Sequence, residues 1–143
     1  MCLITDWDKP QIAKEDIECY KWCIKVTDRG IFSPYMWVPM PEYNKIGYSD
    51  LDEPRIANSF EKRLYRDIHA NIRGKYKVEK GFHSFIRKID AKNVMDLKYS
   101  NRIEEPILVS CIIPKGAMYY KGFFVHYESY CSDKIILEEE ICV

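Results

Sequence analysis

The feature that most constrains this chain is the run from Pro106 to Ile113. Ile107, Leu108, Val109, Cys111, Ile112 and Ile113 make it almost unbroken in apolar character. A strand that is apolar on both sides must be covered on both sides, so the run predicts a central strand inside a layered sheet. Pro114-Lys115-Gly116 ends it. A second strand is written into Ile17 to Val26 by alternation. Glu18, Tyr20, Trp22, Ile24 and Val26 fall on one side, and Ile17, Cys19, Lys21, Cys23 and Lys25 on the other. The Trp22 side is the one expected to be buried. Asp28-Arg29-Gly30 predicts a turn, with Ile31 to Met40 returning as a partner. Pro34, Pro39 and Pro41 mark that partner as an edge or irregular strand.

Two corners follow the same recipe. Lys80-Gly81-Phe82-His83-Ser84-Phe85 and Ile113-Pro114-Lys115-Gly116-Ala117-Met118-Tyr119-Tyr120 each set a Lys-Gly step against aromatic residues. Glycine permits the bend and the aromatics pin it to a core. Between the strands, Ile56, Phe60, Leu64, Ile68 and Ile72 recur every fourth position, which predicts a helix begun by Asp52-Glu53-Pro54 and stopped at Gly74. Asp90 predicts a second helical start over Ala91 to Leu97, with Ile86, Ile89, Val94 and Leu97 facing inward. Lys75–Glu79, Gly122–Tyr127 and Ser132–Leu137 read as further strands. The order β-β-α-β-α-β-β-β predicts a single α+β domain over residues 1–143. Its sheet is mixed or mainly antiparallel, with two helices inserted mid-chain.

Composition excludes several classes. Hydrophobic residues make up 47% and charged residues 31%, so a disordered chain is not expected. No apolar stretch approaches membrane-spanning length, and Met1 to Pro10 has no secretory apolar core, which together predict a cytoplasmic protein. In that compartment Cys2, Cys19, Cys23, Cys111, Cys131 and Cys142 are expected to be reduced, and buried free thiols are the default for most of them. No cysteine or histidine spacing matches a zinc site, so no metal is expected. Phosphate-loop, zinc-protease and nucleophile-elbow motifs are absent. The chain is neutral overall, yet residues 55–102 carry thirteen Lys/Arg against five Asp/Glu. That segment could bind nucleic acid, but charge neutrality favours solvated helix faces matched by acidic neighbours in the fold.

Four residues stand out as candidate chemistry. His83 follows a glycine corner with Ser84 beside it, a position at a strand end where a general base is often mounted. Glu138 and Glu140 alternate on a strand and so share a face, as paired carboxylates for acid–base work would. His126 alternates with Phe124 and reads as a structural histidine, and His69 as a helix-flank residue.

These residues also carry resemblances. Lys-Gly-Phe-His-Ser-Phe at 80–85, the Cys111–Tyr120 segment and Ser132-Asp-Lys-Ile-Ile resemble small uncharacterised proteins of gut Bacteroides-type bacteria and their phages. That resemblance implies a bacterial or phage setting and brings no activity with it. A more distant pattern is similar to the ADP-ribosyltransferases. Tyr20-Lys21 occupies their early-strand position, Phe82-His83-Ser84-Phe85 the middle strand and Glu138-x-Glu140 the late acidic one. It implies NAD as cofactor, with Tyr20 and Lys21 among the residues binding it. Lys21 replaces the expected Arg, and Ser84 has no Ser/Thr partner two residues on. The leading expectation is a non-catalytic module without a cofactor that binds an unknown protein partner. An NAD-dependent enzyme and a nucleic-acid binder using residues 55–102 are the alternatives.

Overall fold

The computed structural model describes residues 3–34, 39–48, 76–78, 80–98 and 105–142. In chain order the strands are β1 (Leu3–Thr5), β2 (Gln11–Ile12), β3 (Ile17–Val26), β4 (Gly30–Phe32), β5 (Ile46–Tyr48), β6 (Tyr76–Val78) and β7 (Phe82–Phe85). Helix α1 (Lys88–Lys98) follows, then β8 (Glu105–Ile113), β9 (Met118–Phe124), β10 (Tyr127–Ser132) and β11 (Lys134–Ile141). All belong to one sheet with the order β5-β11-β8-β3-β7-β10-β9-β1-β6. Strand β2 pairs with β9 and β4 with β3. Every strand pair is antiparallel.

The α+β reading with two helices is corrected. Strands hold 58% of the described residues, and α1 is the one helix among them, so the architecture is mainly β. The Ile56–Ile72 periodicity lies outside the described residues. The second helix exists, but its inward stripe differs from expectation. Ala91, Val94 and Met95 are buried at helical spacing, whereas Ile89 and Leu97 are 46% and 75% exposed. The sheet fixes the rotation of the helix by offering Trp22, Ile24, Phe85 and Leu108 as the surface to cover.

Strand β3 is the spine. It pairs with β8 along its length, from Ile17↔Ile113 to Lys25↔Glu105, and touches β7 through Tyr20↔Phe85. Its Trp22 side meets α1 as expected. Its other side is buried as well: Cys19, Lys21 and Cys23 join Val109, Cys111, Ile135, Leu137 and Phe82 beneath a second core. Two apolar layers therefore sandwich the spine, which is what the β8 run demanded. A third, smaller cluster joins Leu3, Val78, Tyr120 and Cys131.

Both glycine corners are present. Gly81 (φ 120°) and Gly116 (φ 90°) adopt left-handed backbone that a side chain resists, and Phe82 and Met118 begin strands just beyond them. The segment read as one strand from Gly122 to Tyr127 is instead a hairpin. Phe124 pairs with Tyr127, and Val125-His126 forms its two-residue tip. His126 thus sits in a turn, its ring 4.4 Å from that of Tyr127, and not on the Phe124 strand face.

Candidate functional site

Strand alternation and register decide which candidates meet. Tyr20 and Lys21 are neighbours in sequence and so point to opposite sides of β3. Tyr20 packs with the helix-side cluster. Lys21 lies on the side of Cys19 and Cys23. His83 and Ser84 are parted in the same way. Phe82 packs in the thiol-side core and Phe85 in the helix-side core, which places Ser84 with the first and His83 with the second.

His83 is a core histidine in its surroundings. It is 8% exposed, pairs across the strands with Cys131, and its Nε2 lies 3.4 Å from the Val78 carbonyl. Burial, and then the nearby Lys21 charge, drive the imidazole down to a pKa of about 3, against hydrogen bonding to the Val78 and Gly81 backbone, which raises it. The ring is therefore neutral across the physiological range. Strand alternation turns it away from Ser84, and Glu138 and Glu140 belong to β11, three strands away in the order.

On the opposite side, chemistry that sequence spacing did not reveal comes together. Cys19 of β3 stands directly across from Cys111 of β8. Both are free thiols, 0% and 1% exposed. Two residues along β3, the Lys21 ammonium is 6% exposed and donates a 2.5 Å hydrogen bond to the His83 carbonyl. Lys21 belongs to none of the ion pairs formed among the described residues. The fully buried Ser84 hydroxyl has no hydrogen-bond partner and lies on the Cys19 side of the sheet.

This arrangement separates the two thiols. Burial by itself would raise the Cys19 pKa, but the neighbouring Cys111 and Ser84 side chains and the Lys21 charge outweigh it and bring the thiol below its ordinary value. Burial pushes Cys111 well up, and the neighbouring Cys19 adds to the rise, while the Cys111 thiol donates to the Val109 carbonyl at 3.5 Å. Cys23, on the same face of the same strand, is pushed by burial to about 11 despite the Lys21 charge.

The two glutamates do not form a pair. A register shift between Leu137 and Glu139 inserts Glu138 as an extra residue in β11. The bulge breaks the alternation that would have aligned it with Glu140. Glu138 acts on Cys19 electrostatically and raises its pKa. Glu140 is exposed and lies 3.6 Å from Lys25, with both side chains about half in solvent.

An open cleft of about 330 Å³, lined by Thr5, Asp6, Trp7, Lys121, Gly122, Phe123 and Glu128, lies at β1 and β9 and contains none of the candidate residues. Among the described residues no cluster of three or more His, Cys, Asp or Glu could hold a metal ion, and no helix is long and apolar enough to cross a membrane. Most of the basic segment 55–102 lies outside the described residues. No protein-family model, curated protein or solved structure matches this chain.

Proposed function

We propose that this chain is a non-catalytic interaction module that takes up an extended segment of a partner protein along strand β5. The observation that carries the reading is the apolar end of the sheet. Ile46 and Tyr48 alternate on one face of β5 and are 47% and 67% exposed. Ile46 pairs with Ile136, and Ile136 pairs with Ile112, so three isoleucines form a row across β5, β11 and β8. Helix α1 packs chiefly on β3, β7 and β8, at the middle of the strand order and not on the β5 edge. Strand β5 ends the strand order and pairs with β11 alone among the described residues. An added strand would gain main-chain hydrogen bonds at that edge, while Ile46 and Tyr48 would select its side chains. The enclosure of Lys21, His83 and Ser84 supports a binding role over catalysis on a large substrate.

Site-specific photo-crosslinking tests this. A crosslinking residue at position 48 is compared with one at Ile12, another exposed apolar residue (64%). The expected result is a partner joined at 48 and not at 12. That partner, once purified, should bind the Ile46→Lys variant about tenfold or more weakly than the native chain, the loss a central apolar contact typically causes. Equal crosslinking at both positions, or unchanged affinity in a variant of unchanged melting temperature, refutes the reading.

A further inference from the structure

We propose that Cys19 and Cys111 are a peroxide-responsive dithiol, in which Cys19 is the attacking sulfur and Cys111 resolves the product into a disulfide across β3 and β8. Three features of the geometry carry this. Their register makes the two residues direct antiparallel partners. Such partners have Cα atoms about 4.5–5.5 Å apart, inside the range a disulfide spans. The Lys21 ammonium is held on the same face, two residues from Cys19, by its bond to the His83 carbonyl. The Ser84 hydroxyl, wholly buried and without a hydrogen-bond partner, lies on the same side of the sheet as Cys19.

The chemistry balances with hydrogen peroxide as the oxidant. The Cys19 thiolate attacks one peroxide oxygen and the O–O bond breaks. Hydroxide leaves and takes up a proton, giving Cys19 sulfenic acid and one water. The Cys111 sulfur then attacks the Cys19 sulfur, the S–O bond breaks, and the Cys111 proton departs with the hydroxyl as a second water. Two thiols are oxidised by two electrons and one peroxide is reduced to two waters. The burial of both sulfurs favours a small uncharged oxidant over glutathione disulfide, which must bring a bulky charged group to the sulfur it exchanges with.

Cys23 is the control built into the molecule. It is buried on the same strand and the same face, but it stands across from Ile107 and not from a cysteine. The reduced full-length protein is treated with hydrogen peroxide, quenched, unfolded, alkylated and mapped by mass spectrometry. The expected result is a linked Cys19–Cys111 peptide lighter by two hydrogen atoms, with Cys23 still alkylated as a thiol. Cys111→Ser should leave Cys19 as a sulfenic acid captured by a dimedone probe. Lys21→Met should slow disulfide formation about tenfold or more, by reducing the thiolate fraction. Oxidation of Cys23 as fast as Cys19 overturns the proposal. So does a Cys19–Cys111 pair that stays reduced while the exposed Cys142 is oxidised. The comparison of Cys19 with Cys23 in the native chain decides the matter even if Lys21→Met does not fold.

Discussion

Acidification from pH 8 to pH 5 should cost this protein about 2 kcal/mol through His83 alone. In the unfolded chain the imidazole titrates near 6.5, whereas burial and the Lys21 charge hold it at about 3 in the fold. Between those values the unfolded state binds a proton that the native state refuses, so stability rises with pH and falls on acidification. The contribution is complete above about pH 6.5. It declines by roughly 1.4 kcal/mol per pH unit below that, and levels off near pH 3. At pH 5 the loss of about 2 kcal/mol is a large share of the 5–15 kcal/mol typical of a domain. The assay is urea unfolding at pH 8 and pH 5 under reducing conditions, for the native chain and for His83→Gln. The variant will differ at both pH values because its packing changes. The quantity read is therefore the extra loss of the native chain on acidification, which cancels the contributions of the carboxylates. In parallel, the imidazole carbon-bound proton followed by NMR should show no inflection from pH 8 to pH 4.5. An inflection near 6.5 in the folded protein, or equal acid losses in the two chains, refutes the assignment. Lys21→Met should move the imidazole midpoint upward, since the ammonium is the second cause of its depression.

Three other substitutions test the packing. Phe85→Ala empties a site that is 1% exposed and edge-on to Phe124 and Tyr127, and should cost about 3–5 kcal/mol by urea unfolding. Gly122→Ala would set a methyl group 2.1 Å from the Ile4 carbonyl oxygen, so β1 must shift. A loss of about 1–3 kcal/mol is expected, with faster hydrogen exchange at Leu3–Thr5. Val125 holds φ at 58° in the β9–β10 hairpin tip, a conformation hostile to a β-branched residue, so Val125→Gly should stabilise the protein by about 1 kcal/mol and raise its melting temperature.

The spine and its cover were legible because their apolar patterns are long. Ile17–Val26 is the strand the alternation marks, and the Pro106–Ile113 run lies within the buried β8. The β9–β10 hairpin was not legible, for the reason that makes Val125→Gly stabilising. Its tip has no Gly, Pro, Asn or Asp to announce a turn. The strands β1 and β2, three and two residues long, carry too little pattern to detect. Chain spacing brought Glu138 and Glu140 together, and a bulge separated them. Spacing also left Cys19 and Cys111 ninety-two positions apart as ordinary buried thiols. Their meeting depends on the register of β3 against β8, which alternation within either strand does not specify.

The same register has a consequence for synthesis. Strand β3 emerges from the ribosome early, yet its main partner is β8, and the strand on the far side of β8, β11, comes later still. Closing such distant pairs makes folding slow compared with chains built from local hairpins. Until Glu105 and the residues after it have been translated, the nascent chain must carry an apolar ladder without its mate, a time when holdase chaperones would be most needed.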